Sequence, residues 1–157
     1  MLRHLTTGVL AITILATGFL RDFFGTNLIY QTYYTRHEKF NPHLPDLLDF
    51  YRSFTLDDIY IAKWVITIVF SLIYAGLALL LVRHLYRHRE YLWWTVYAYG
   101  GLIVVSAVFF LGGYAIGKPN EGYYFSRVFM GFVQSPIVPM ILIPAFRLLP
   151  PPDKTAA

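Results

Sequence analysis

The chain has 157 residues, of which 57% are hydrophobic and 14% charged, whereas about 25% of the residues in soluble domains are charged. Its apolar residues gather into long blocks that one small core could not bury, so the composition excludes a soluble globular domain. The net charge is +4, but the basic residues are scattered along the chain, which argues against a nucleic-acid binder. Because there is no cysteine, disulfides, thiolate metal sites and cysteine nucleophiles are excluded as well.

The first predicted transmembrane helix covers residues 5–24. Its apolar block stops at Arg21 and Asp22, and aromatic residues follow. No small-residue cleavage site comes after the block, so we interpret it as an uncleaved helix and not as a signal peptide. Arg21 and Asp22 could act in proton transfer or pair with a partner's charged group. Charges at a helix end cost far less than charges at the bilayer centre, so we favour an interfacial stop signal, with Arg21 reaching the outer headgroups.

Residues 25–58 form the predicted outer segment between the first two helices. The segment is too rich in phenylalanine and tyrosine to be a solvated linker. We therefore expect it to lie on the membrane interface, with a short amphipathic helix at residues 45–54.

The second and third predicted helices cover residues 59–82 and 91–116. Lys63 interrupts the start of the second apolar block, and its long side chain can reach the headgroups. The third block opens with tryptophan and tyrosine residues, which are typical of a membrane interface. Near its end, Gly113 and Gly117 form one Gly-x-x-x-Gly motif, which permits close packing of helices.

The connection between the second and third helices predicts the orientation. It contains Arg83, Arg87 and Arg89, and positive charge beside membrane spans stays on the cytoplasmic side. The chain is therefore predicted to be N-in and C-in. His84 and His88 are spaced i, i+4 on one helix face, but no third ligand is evident. Their basic neighbours favour lipid headgroups over a metal ion or haem, so no metal and no cofactor are predicted.

The fourth predicted helix, residues 127–149, carries the most informative pattern. Two of its interior prolines are Pro136 and Pro144. Each removes a backbone hydrogen-bond donor, so nearby carbonyls need other partners. An amide in apolar surroundings is costly unless it is hydrogen-bonded, so Gln134 and Ser135 are expected to face the bundle or a partner helix. A structural kink and an interaction surface both remain open. The tail, residues 150–157, is predicted to be disordered.

The same region resembles the small exosortase-associated membrane proteins of the exosortase F or exosortase X type. That family's last helix carries an arginine, then Gln-Ser-Pro, then Leu-Ile-Pro-Ala-Phe. The matching positions here are Arg127, Gln134, Ser135, Pro136 and residues 142–146. The first helix is also similar, since Arg21 leads into two phenylalanines, although Gly-Thr-Asn replaces the family's acidic-proline step.

The resemblance implies an accessory partner of an exosortase, a multi-pass transpeptidase-like enzyme that processes C-terminal sorting signals in the bacterial inner membrane. An exosortase needs a cysteine, so this chain would be the companion and not the catalyst. Our leading hypothesis is a non-enzymatic protein that packs against such an enzyme through its fourth helix and outer aromatic segment. The candidate contact residues are Arg21, Asp22, Arg127, Gln134, Ser135, Pro136 and Pro144.

Two other classes of protein remain as alternatives. In a small transporter or channel subunit, Arg127, Gln134 and the proline-broken helix would line a path. That alternative lacks a predicted charge in the middle of a span. A membrane enzyme could use outer groups such as Arg21, Asp22 or His37, but their spacing matches no recognisable catalytic constellation.

Overall fold

The computed structural model describes residues 2–86 and 88–148, with the backbone alone for residues 2–4. In this part of the chain there are helices and no strand, which confirms the predicted all-α membrane protein. The helices are α1 (Leu2–Arg36), a 3₁₀ helix (Asp46–Ser53), α2 (Leu56–Leu85), α3 (Arg89–Ala115), α4 (Pro119–Val133) and α5 (Ile137–Leu148). The predicted disordered tail lies outside the described residues.

Three helices are long and apolar enough to cross a bilayer, and α4 with α5 forms a fourth span if the bent pair counts as one. The two short helices meet at an angle of 59°. Alone they measure roughly 22 Å and 18 Å, whereas the hydrocarbon core is about 30 Å thick. Gly122 of α4 packs beside the end of α3, while Phe146 of α5 packs on Tyr91 at the start of α3. The pair therefore runs the length of the bundle as one broken span.

The first helix is longer than predicted, because it continues without a break to Arg36 instead of ending near residue 24. Its polar side chains bond to the helix itself: Asn27 Nδ2 donates to the Phe23 carbonyl at 2.8 Å, and Thr32 Oγ1 donates to the Leu28 carbonyl at 2.7 Å. These polar residues therefore do not interrupt the backbone hydrogen bonds.

The segment between α1 and α2 folds back onto both helices. Leu44, Leu48 and Tyr51 are buried against Leu28 of α1 and Ile59 of α2. The 3₁₀ helix falls within the short helix predicted at residues 45–54. Burial raises the pKa of the Tyr51 hydroxyl above its ordinary value, because the charged form is disfavoured away from water.

The beginning of α2 is fixed by a capping box. The Thr55 side chain accepts a hydrogen bond from the Asp58 amide, and the Asp58 carboxylate accepts one from the Thr55 amide at 2.9 Å. Such a box satisfies two backbone donors that the first turn of a helix leaves free.

The bundle consists of two helix pairs, since α1 packs along α2 and α3 packs along α4. At the predicted cytoplasmic half, a closed apolar cluster joins them, and it includes Ile14, Tyr74, Tyr99, Val133 and Val138. The predicted outer half, where α1 ends and α2 begins, is less tightly filled.

Candidate functional site

A cleft of about 630 Å³ lies between the two helix pairs in the predicted outer half. We call it the outer cleft. One wall is formed by residues 21–29 of α1 and the other by residues 123–134 of α4 and its C-terminal end. Residues 60–67 of α2 and 103–110 of α3 form the floor.

Gln134 closes the deep end of the outer cleft and joins three helices. Its Nε2 donates to the Thr67 carbonyl and to Ser71 Oγ of α2, each at 3.2 Å. Its Oε1 accepts a hydrogen bond from Arg21 Nε of α1 at 3.3 Å. With 5% of its surface exposed, Gln134 faces the interior of the bundle and is not available to a partner helix.

Arg21 lies at the deep end of the outer cleft beside Gln134, and α1 continues beyond it to Arg36. Gln134 forms hydrogen bonds to both Arg21 and Thr67, so these two residues lie at a similar height in the bundle. Thr67 is roughly 16 Å along α2 from the first residue of that helix. The helix itself does not end at Arg21, whereas the predicted position of Arg21 at the outer headgroups stays a prediction. A charged side chain within a membrane span is costly unless it is paired, and Arg21 Nη1 also donates to Asp22 Oδ1 at 2.8 Å.

Two further cations line the outer cleft above Arg21. The Lys63 ammonium lies 5.5 Å from the centre of the Tyr60 ring. Arg127, on the α4 wall, repels the charge of Lys63 on the floor, as does Arg36 at the end of α1. Arg36 itself donates a hydrogen bond to the Tyr60 hydroxyl at 3.2 Å.

The lining of the outer cleft carries an excess of positive charge. Three basic side chains, those of Arg21, Lys63 and Arg127, stand against the single carboxylate of Asp22, which leaves two positive charges. Within the described parts of the chain, neither Lys63 nor Arg127 forms an ion pair. The cleft therefore has the electrostatics of an anion-binding site.

The remainder of the lining is amphiphilic. Hydroxyl groups come from Thr26, Tyr60, Tyr123 and Ser126, and the last of these shares a hydrogen bond of 2.8 Å with Ser106. The apolar part includes Trp64, Ile103, Phe110 and Met130. Such a mixture suits a ligand with a charged head and a hydrocarbon tail.

One side of the outer cleft is open between α1 and α4. These two walls make few contacts with each other and meet through Arg21 and Gln134. No residue of α5 or of the 3₁₀ helix lines the cleft. In a bilayer, the gap between α1 and α4 faces lipid or a neighbouring protein.

The other predicted contact residues lie beside the outer cleft or away from it. Ser135 and Pro136 form the break between α4 and α5, where Ser135 Oγ donates to the Phe132 carbonyl at 2.9 Å. That bond supplies a partner for a carbonyl that Pro136 leaves without its helical donor. Pro144 is an exposed residue within α5 and takes no part in the cleft.

The structure thus brings together Arg21, Asp22, Arg127 and Gln134, and it adds Lys63, which the sequence had assigned to the headgroups alone. The sequence does contain a pattern that could have placed Lys63 on a cleft-lining face. Polar side chains recur along α2 at positions 60, 63, 67 and 71, a spacing that places them on one helical face. A polar stripe along an otherwise apolar span indicates an interior or cleft-lining face.

Within residues 2–86 and 88–148, no three histidine or acidic side chains lie close enough together to hold a metal ion. Comparison with protein-family models, curated proteins and solved structures finds no match to this chain.

Proposed function

We propose that this chain is a non-enzymatic accessory membrane protein of an exosortase-type protein-sorting system in the bacterial inner membrane. The resemblance of the last helix suggests the system. The outer cleft supports the role, because its lining carries two positive charges in excess and its α1 and α4 walls make few contacts with each other. That uncompensated charge is the observation on which the proposal depends.

The charge favours a binding function for a physical reason. Removing two cations from water is costly, and the cost is offset when an anion approaches them in surroundings of low dielectric constant. Lys63 and Arg127 repel each other in the free protein, so a bound anion relieves an unfavourable interaction as well as making a new one. The partner protein would then pack over the open side between α1 and α4.

Catalysis is less well supported by the same groups. The carboxylate of the outer cleft, that of Asp22, is bound to Arg21, and Ser126 shares its hydroxyl with Ser106. General-base chemistry needs a base within hydrogen-bond reach of the group that it deprotonates. The arrangement fits a fixed set of donors better than an acid and base pair.

Purification of the tagged chain from its native membranes in mild detergent, followed by mass spectrometry, tests the proposal. We expect a stoichiometric multi-pass partner of the exosortase type. Arg127→Glu should lower recovery of this partner by about tenfold, since it removes one cation and adds an anion at the open side. Lys118→Glu makes the same change of charge outside the cleft and should leave recovery unchanged. Recovery of the chain alone, or as a homo-oligomer, would contradict the proposal.

A small transporter is the second candidate, and the break between α4 and α5 beside a polar network favours it. Broken helices with polar partners in mid-span form the substrate sites of many transporters. Below Gln134, however, Tyr74, Tyr99 and Val138 pack into a closed apolar cluster, so a path would require α5 to move. Anion flux into reconstituted vesicles that is lost in Gln134→Leu would favour this candidate, and absence of flux would reject it.

A further inference from the structure

We infer that the outer cleft binds the head of a lipid phosphate monoester, with part of the lipid tail along its apolar floor. This inference rests on the proposed function in taking the cleft to be a binding site. It goes further by assigning the chemical class of the ligand.

The charge balance points to a doubly charged head. The lining has two positive charges in excess, and a phosphate monoester carries about −1.5 to −2 at neutral pH. A carboxylate or a phosphate diester carries a single negative charge and would leave one cation of the cleft without compensation. The monoester therefore matches the lining most closely.

The donors of the outer cleft also suit phosphate oxygens. Arg21 uses Nε for Gln134 and Nη1 for Asp22, which leaves further guanidinium donors. Lys63 and Arg127 approach from different helices and form no ion pair within the described residues. Several donors from different directions fit the oxygens of a phosphate better than the two oxygens of a carboxylate.

The depth of the cations agrees with a head group held at the membrane boundary. Lys63 lies seven residues after the first residue of α2, which corresponds to roughly 10 Å along the helix. Tyr60 and Tyr123 lie nearer the outer end of the cleft, at the level where tyrosines commonly meet headgroups. Below and beside the cations, Trp64, Ile103 and Phe110 provide surface for a hydrocarbon chain.

The way into the outer cleft favours a ligand that already resides in the bilayer. Because α1 and α4 make few contacts with each other, a lipid beside these two helices can enter between them without leaving the membrane. The volume of about 630 Å³ is within the range of roughly 300–1,000 Å³ that is usual for small-molecule sites. One head group and part of one chain would occupy it.

Native mass spectrometry of the purified chain tests the inference. The protein is incubated in mixed micelles with equal amounts of dioleoyl phosphatidic acid, a monoester, and the corresponding phosphatidylglycerol and phosphatidylcholine. We expect one phosphatidic acid per chain and a preference of about tenfold over phosphatidylglycerol. Equal retention of the first two lipids would overturn the assignment to a monoester.

Variants and a soluble competitor complete the experiment. Lys63→Gln with Arg127→Gln should lower retention of phosphatidic acid by at least about tenfold, whereas Lys118→Gln should not change it. Inorganic phosphate in large excess should not displace the lipid; displacement would show that free phosphate is the ligand and overturn the inference. If the double variant does not fold, Lys63→Arg should still retain the lipid, and phosphatidic acid should raise the unfolding temperature of the wild type more than phosphatidylcholine does.

The outcome is separable from that of the proposed function, because the lipid assay uses the purified chain without a partner. If no lipid is retained while the partner still co-purifies, the lipid inference fails and the proposed function stands. An acidic side chain of the partner would then be the group that enters the outer cleft. If phosphatidic acid is retained and no partner co-purifies, the lipid inference stands and the accessory role fails.

Discussion

Gln134 is the residue on which the packing of the outer cleft depends. Both ends of its amide are used: the nitrogen donates to α2 and the oxygen accepts from Arg21. These bonds remove the cost of burying an amide, and they also supply a partner for the guanidinium at the deep end of the outer cleft. One side chain thus stabilises the helix break and positions the deepest cation of the cleft.

Replacing Gln134 by leucine should lower the free energy of unfolding by about 2 kcal/mol, because Arg21 would lose its acceptor at the deep end of the outer cleft. Thermal unfolding in detergent, followed by circular dichroism, measures the change. Asn27→Leu is the matched control, since the Asn27 amide bonds to the carbonyl of Phe23 in its own helix. Equal losses of stability in the two variants would show that the Gln134 network has no special role.

Sequence reasoning could predict that Gln134 is hydrogen-bonded but not which residues bond to it. The cost of an unpaired amide in apolar surroundings is a local property, and it is visible in the sequence. Its partners Arg21 and Thr67 are 113 and 67 residues away, so they become known only with the packing of the helices. The same is true of Lys63, whose importance comes from Arg127 on another helix.

At the scale of elements, the turn between α3 and α4 determines how α4 can form a wall of the outer cleft. Gly117, with φ of +73°, stands in this turn, a conformation that glycine adopts at little cost. The chain then folds back so that Gly122 packs directly against Gly113. Of the two glycines in the Gly-x-x-x-Gly motif, Gly113 thus makes a close contact with the neighbouring helix, while Gly117 serves the turn.

Gly122→Ala should lower the free energy of unfolding by about 1–3 kcal/mol, because the added Cβ would force α3 and α4 apart. That atom would lie 2.6 Å from the Gly113 Cα and 2.6 Å from the Phe109 carbonyl oxygen. Gly112→Ala is the control, since its Cβ would meet nothing within 4 Å. Chemical or thermal unfolding in detergent compares the two. A loss at Gly112 as large as that at Gly122 would contradict the close contact.

The beginnings and ends of the helices show which signals in the sequence can be relied on. The start of α2 follows from a local capping pattern, and the break after α4 follows from Pro136, whose missing donor is a property of one residue. The end of α1 could not be located in this way, because Arg21 and Asp22 suggested a boundary. Their charges are instead accommodated by a hydrogen bond to α4 and by pairing with each other.

For the whole molecule, composition was sufficient to predict an all-α membrane protein, because long apolar helices satisfy their own backbone in lipid. The outer cleft was not predictable, since it depends on how far the two helix pairs diverge. The apolar cluster around Tyr74 and Tyr99 closes one half of the bundle, while the polar face of α2 leaves the other half open. The charged and polar lining of the outer cleft is thus concentrated at one end of the bundle.

The predicted orientation can be tested on the intact molecule with single cysteines, because the chain contains none of its own. A membrane-impermeant maleimide should label Ser53→Cys in intact cells, since Ser53 is exposed in the outer 3₁₀ helix. It should label His88→Cys, in the basic connection between α2 and α3, only after the cells are permeabilised. The opposite pattern of labelling would invert the topology and place the outer cleft on the cytoplasmic side.

The most direct test of the outer cleft as a binding site is photo-crosslinking in native membranes from two adjacent positions of α4. Tyr123 lines the cleft, whereas the exposed Tyr124 does not. A photo-reactive phenylalanine in place of Tyr123 should form an adduct with a second molecule, and Arg127→Glu should reduce that adduct by about tenfold. Crosslinking from position 124 should not respond to the charge at position 127. No adduct at position 123, or one that persists after the charge reversal, would contradict a binding role for the outer cleft.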